Sequence, residues 1–171
     1  LIFSKRCYGV KKMGTETWQK RVTLLVNTCD AYADLWGPFF TLLKRYFEPL
    51  KMRILLNTET KDFSFEGLQI EAVHSSAASY GERMRDALSH VDTEYVLLML
   101  DDFFLHKPVR QDRLQQVVTW MDNDKDIVYF NCDVTAAARD FEVNRYHGYR
   151  RLPAGNRYIL NLQSAVWRTE K

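Results

Sequence analysis

A chain of 171 residues is long enough for one domain with a buried core, and 46% hydrophobic with 27% charged residues is the balance of an ordinary globular protein. A net charge of +2 supplies no basic field for nucleic acid, which is excluded as a partner. Cys7, Cys29 and Cys132 show no CxxC spacing, which argues against a disulfide framework or structural zinc; no run approaches the ~18 apolar residues of a membrane span, and no signal-peptide pattern is visible.

Residues 1–20 are basic, with Lys5, Arg6, Lys11 and Lys12, and read as an N-terminal arm or a first strand. Val22 to Asn27 is a strand by its β-branched and aliphatic content, with Thr28-Cys29-Asp30 as its exit. From Ala33 to Phe47, Leu35, Phe39, Leu42, Leu43, Tyr46 and Phe47 recur at helical spacing; Pro38 suits a first turn and so places the helix start near Trp36 or Gly37. Met52 to Asn57 is a second buried strand, 58–67 is loop, and Leu68 to Val73 alternates like a half-buried or edge strand. Ser79 to Val91 is an amphipathic helix with Tyr80, Met84, Ala87, Leu88 and Val91 on its apolar stripe.

Tyr95-Val96-Leu97-Leu98-Met99-Leu100 is a continuous apolar run, the pattern of a strand buried on both faces, and it ends in Asp101-Asp102. Asp112 to Met121 reads as a helix and Ile127 to Asn131 as a strand. Tyr146 to Leu152 and Arg157 to Leu162 form a candidate hairpin around Pro153-Ala154-Gly155-Asn156. Strands alternating with helices predict an α/β domain with a mostly parallel central sheet and helices on both faces. The absence of a linker makes 1–171 a single domain. The start at Leu1 and the end just past Thr169, a residue suited to cap a further helix, are expected of a fragment of a longer protein.

In a parallel sheet the exits Asn27-Thr28-Cys29-Asp30, Asn57-Thr58-Glu59 and Asp101-Asp102 all fall on one edge, where open α/β sheets bind ligands. Acids, amides and hydroxyls there suit a ribose, base edges and a metal. Two adjacent carboxylates repel and need a cation, a proton or solvent; a divalent ion bound to a diphosphate supplies the charge. Arg83 and Arg85, on the preceding helix, are in reach of a diphosphate or form a solvated helix face. No GxGxxG, GxxxxGK[ST] or GxSxG is present, so phosphates would depend on a metal or arginines. His74, His90, His106 and His147 have no metal-ligand spacing; His106 alone follows closely on the acids. Trp36, Trp120 and Trp167 are read as core, with Trp167 also a candidate for stacking on a sugar ring.

The succession of a strand with a polar exit, a helix, a second such strand, a helix of the Tyr80-Gly81-Glu82-Arg83-Met84-Arg85-Asp86-Ala87-Leu88 type and Tyr95 to Asp102 resembles the nucleotide-sugar-binding half of GT-A glycosyltransferases. Within these it is most similar to family 2-like enzymes of bacterial surface-polysaccharide assembly. The resemblance covers roughly residues 20–171, with 21–132 as the nucleotide-sugar half and 133–171 as an incomplete acceptor-side segment. It implies that Asp101 and Asp102 match the DxD-type element that holds Mn2+ or Mg2+, although Asp-Asp-Phe stands here in place of Asp-x-Asp. It implies a place beside the nucleoside for Asn27, Thr28 and Asp30. With Asn57 from the strand ends, Arg83 from the preceding helix and Asp101, these form the expected donor site. Asn161 to Arg168 resembles the acceptor-side stretch before a helix carrying the catalytic acid; no base is assigned in this chain.

The expected function is transfer of a sugar from a nucleotide-diphosphate donor, UDP-sugars foremost, to a saccharide or lipid-linked acceptor. A nucleotidyltransferase on a similar sheet and a non-catalytic binding domain stay open. The expected location is cytoplasmic, with peripheral association at the inner membrane face compatible with a lipid-linked acceptor.

Overall fold

The computed structural model describes residues 18–132, 142–143, 146, 150–152 and 162–169. Its strands are β1 (Val22–Asn27), β2 (Arg53–Thr58), β3 (Ile70–His74), β4 (Tyr95–Leu100), β5 (Tyr129–Asn131), β6 (Glu142–Val143), β7 (Arg150–Arg151) and β8 (Ala165–Arg168). The helices are α1 (Ala33–Tyr46), α2 (Tyr80–Ser89) and α3 (Gln111–Asn123). Six strands form one sheet in the order β3-β2-β1-β4-β8-β5. The first four run parallel, and β8 lies antiparallel between β4 and β5.

The near-continuous apolar strands follow from burial on both faces. Leu24, Val26, Ile54, Leu56, Leu97 and Met99 join a core with Trp36, Phe39, Phe40 and Leu43 of α1 and Leu114, Val117, Val118 and Met121 of α3. The alternate residues Leu25, Leu55, Val73, Val96 and Leu98 pack on the other face with Ala87 and Val91. The expected parallel sheet with helices on both faces is the one observed. β3 is its edge, as the alternation predicts.

Two local expectations are corrected. Helix α1 starts at Ala33, directly after a 3-10 turn at Asp30–Tyr32, and so carries Pro38 in its second turn. Proline removes an N–H there, but the burial of four large α1 side chains outweighs a loss of about 3 kcal/mol. On α2 the buried seam is Ala87 with Met84 and Val91 beside it, whereas Tyr80 and Leu88 are 41% and 40% exposed. Periodicity marks a face; the sheet beneath decides how much of it is covered. Ala165 to Arg168, whose secondary structure is not read from the sequence, is a strand. Thr169 closes back on β4, its N–H bonding the Glu94 carbonyl at 3.0 Å. Four residues are too few for alternation to show. Within the first arm of the candidate hairpin, Arg150–Arg151 pairs with Glu142–Val143, while 147–149 and 153–161 lie outside the described residues.

The edge where the parallel strands begin is tied by an ionic knot. Arg21 donates to both oxygens of Glu94 and both of Asp122 at 2.6–2.9 Å. The Tyr95 hydroxyl donates to Asp122 at 2.7 Å, and the Arg21 and Arg168 guanidiniums lie over the Tyr95 ring at 5.6 and 5.4 Å. Burial, with Asp122 as acceptor, pushes the Tyr95 phenol up to about 12. The knot joins β1, β4, β8 and the end of α3.

Two substitutions on α2 test its seating. Ala87→Leu, which adds volume where no space remains, should cost about 1–3 kcal/mol in urea denaturation. Leu88→Ala should cost less than about 1 kcal/mol. Equal losses at the two positions would contradict the observed seam.

Candidate functional site

The parallel strands end on one edge, and the two acids lie at the exit of β4. The Phe103 N–H bonds the Leu100 carbonyl at 3.2 Å, so the chain turns immediately after the strand with Asp101 and Asp102 at the bend. The bend separates them. Asp101 is 6% exposed and accepts a short hydrogen bond from the Thr28 hydroxyl, whose oxygen in turn accepts the Trp36 indole N–H at 2.9 Å. Asp102 is exposed. Burial pushes the Asp101 carboxyl above the usual range and the Asp102 charge adds to this, while the Thr28 bond opposes it.

The exit of β2 is fastened to that of β1. Asp30 accepts N–H bonds from Glu59, Thr60 and Lys61 at 3.1–3.3 Å and the Thr60 hydroxyl at 2.6 Å. The Thr60 hydroxyl, helped by these amides, holds the Asp30 carboxyl down at about 2. Lys61 Nζ returns to the Asp30 carbonyl at 2.9 Å. Glu59 accepts the Asp30 N–H through Oε2 and the Arg83 guanidinium through Oε1, so the β1 exit, the β2 exit and α2 meet at one carboxylate. The rest of the loop is clamped to α1, with Phe63 stacked on Phe40 at 5.4 Å and edge-on to Trp36 at 5.7 Å. Arg83 is placed by the first turn of α2, which a Ser79–Glu82 capping box fixes.

Asn57 is buried beside this junction. Its amide donates to Asn27 Oδ1 at 2.7 Å, and its own Oδ1 has no partner among the described residues. The structure therefore gathers Asn27, Thr28, Asp30, Asn57, Arg83, Asp101 and Asp102 along one edge, with unequal exposure. Asp102 is open, Arg83 is half-buried, and Asp101 and Asn57 are enclosed. Arg85 and His106 are exposed outside these bonds. Trp36 is core, as expected, and supplies the indole donor to Thr28 as well. Trp120 packs on Phe130 at 6.2 Å and Trp167 on Tyr129 at 4.2 Å. Glu59 was not singled out from sequence. Its only signal was the acidic residue closing Asn57-Thr58-Glu59, a common strand exit.

The edge is an open rim. Two shallow hollows of about 160 Å³ lie elsewhere, one of them lined by Val109, Arg113, Leu114 and Phe130. Asp30 is satisfied by amides and Glu59 by Arg83, and among the described residues neither Asp101 nor Asp102 forms an ion pair. No helix among the described residues is long and apolar enough to cross a membrane.

No family model matches this chain, and no curated protein matches it in sequence. Among solved structures it is similar to the mannosyltransferase PcManGT from Pyrobaculum calidifontis in complex with GDP-Man and Mn2+, with a TM-score of 0.50 and 18% identity. The match covers 69% of this chain and 36% of that one, so the chain spans about a third of the mannosyltransferase. The likeness is one of fold: the sheet and its helices form a glycosyltransferase-like fold.

The Asp30 cluster has a pH signature. An acid depressed on folding stabilises the native state above its unfolded value, near 3.8, and loses that contribution as pH falls toward about 2. Asp30→Ala should therefore lower the melting temperature most at neutral pH, with the gap to wild type narrowing below pH 4. A gap independent of pH would show that the Asp30 charge does not hold the loop.

Proposed function

We propose that this chain is the nucleotide-sugar-binding part of a glycosyltransferase, with its donor seated on the rim formed by the exits of β1, β2 and β4. The observation that carries the reading is the division of labour between the two acids: Asp101 is locked to Thr28, and Asp102 is exposed, with no ion pair among the described residues. The fold likeness to a nucleotide-sugar enzyme supports it.

The residues fit a divalent cation shared with a diphosphate. Among the described residues no group of three or more His, Cys, Asp or Glu forms an all-protein cage. Mg2+ or Mn2+ needs none when one or two carboxylates and the phosphates of a ligand complete its shell. Asp102, with Asp101 behind it, would hold the ion, which would supply charge neutralisation to the departing diphosphate. Arg83 offers N–H groups to the same phosphates. Thr28, Asn27 and Asn57 would line the nucleoside side, and the Asp30 cluster holds the wall in shape. In the transfer, an acceptor hydroxyl attacks the anomeric carbon, the bond to the diphosphate breaks, and the hydroxyl proton passes to a base. The acceptor is proposed to be a saccharide or a lipid-linked saccharide. A lipid-linked acceptor would place the protein at the cytoplasmic face of a membrane, and polysaccharide assembly is the setting that the family 2-like pattern supports.

Calorimetric titration with GDP-mannose and UDP-glucose, each with and without Mn2+, tests this reading. Wild type should bind at least one of them in a Mn2+-dependent manner. Asp102→Asn should weaken that binding at least about tenfold without lowering the melting temperature, because it removes a hard-oxygen ligand and one of two repelling charges. Unchanged binding by Asp102→Asn would overturn the metal assignment. Binding of nucleoside triphosphates alone would favour a nucleotidyltransferase, and binding of neither would favour a non-catalytic domain.

A further inference from the structure

We infer that Glu59 is a positioning residue for Arg83, aiming its guanidinium at the diphosphate of the donor; the inference rests on the functional reading above. Arg83 hangs from a surface helix on a side chain with four rotatable bonds. Left alone it would sample many rotamers and lose their entropy on meeting a ligand. In the structure one amino group, Nη1, is bonded to Glu59 Oε1. Nε and Nη2 have no partner among the described residues, and the side chain keeps 27% of its accessible surface. One corner of the planar fork is held and the remaining N–H groups are free for phosphate oxygens.

Glu59 is itself fixed from a second direction. Its other oxygen accepts the Asp30 N–H, and the loop that carries it is pinned by the three amides and one hydroxyl that converge on the Asp30 carboxylate. Asp30 and Glu59 thus hold each other reciprocally, the side chain of each accepting a backbone N–H of the other. The anchor of Arg83 is therefore the rigid junction of β1 and β2, whose strands continue into the rim beside Thr28 and Asp101. A guanidinium referenced to that junction keeps a set position relative to Asp102. This geometry gives Glu59 a task that needs its shape and both of its acceptor oxygens, exerted on the ligand only through Arg83.

A double-mutant cycle on the protein, read by calorimetry with GDP and UDP in Mn2+, tests this. Arg83→Ala should weaken nucleoside diphosphate binding about tenfold or more, and Glu59→Ala by a comparable factor. Glu59→Gln keeps one acceptor oxygen but turns an amide NH2 toward the other donor, so its binding should fall between that of wild type and that of Glu59→Ala. The double variant Glu59→Ala/Arg83→Ala should bind no more weakly than Arg83→Ala alone, because Glu59 has no effect once its client is gone. Melting temperatures of all variants identify any loss due to unfolding, and Glu59→Gln keeps the test valid if Glu59→Ala does not fold. Additive losses in the double variant, or loss in Glu59→Gln equal to that in Glu59→Ala, would overturn the inference while leaving nucleotide binding by the wild type intact. No Mn2+-dependent binding by the wild type would overturn the functional reading and this inference with it.

Discussion

The rim of this protein depends on one buried relay, from the Trp36 indole through the Thr28 hydroxyl to the Asp101 carboxylate. It joins the helix that covers the sheet, the exit of β1 and the exit of β4, three segments brought together by folding. A carboxylate at 6% exposure is tolerable only when it is hydrogen-bonded or protonated, and Thr28 provides the bond while burial raises the pKa. The relay also sets the polarity of the site. With Asp101 turned inward against α1, the tight turn after β4 leaves Asp102 as the acid that meets solvent.

The two ends of the parallel strands are secured by different means. At their start, Arg21, Glu94, Asp122, Tyr95 and Arg168 form a network in which each charged group has an opposite partner or a carbonyl, and which ties β8 into the sheet. At their finish, reciprocal bonds between backbone amides and the acids Asp30 and Glu59 do the work. The first network is spent on stability, because its carboxylates are occupied by Arg21 and Tyr95. The second leaves free N–H groups on Arg83 and an open carboxylate on Asp102. Unspent bonding capacity on a rigid support is what a binding site requires.

The strand residues show how far periodicity carries an argument. Leu24 and Val26 face one core and Leu25 the other, as an apolar strand buried on both faces demands. The same reasoning applied to α2 went too far at Tyr80 and Leu88. A helix can be amphipathic over a wider arc than its neighbours cover, and only the width of the sheet surface beneath it decides the difference. At β8 the reasoning failed in the other direction. Ala165-Val166-Trp167-Arg168 is too short to announce a strand, and its place between β4 and β5 is fixed by pairing with residues more than thirty positions away.

The amino-acid sequence by itself determined the parallel strands, their order of helices and strands, and the concentration of polar side chains at the strand exits. These follow from local hydrophobic pattern, which reports burial, and from the rule that ligands meet α/β sheets at their carboxyl edge. Only the tertiary structure decided which of two adjacent aspartates is enclosed, that the Asp30 carboxylate is engaged by a loop 29–31 residues further along, and that Glu59 and Arg83 meet. Those outcomes depend on partners distant in the chain. A hydrogen bond or ion pair between segments leaves no periodic trace in either of them, so neither Asp101 and Asp102 nor Glu59 carries in its own neighbourhood the information that distinguishes its role.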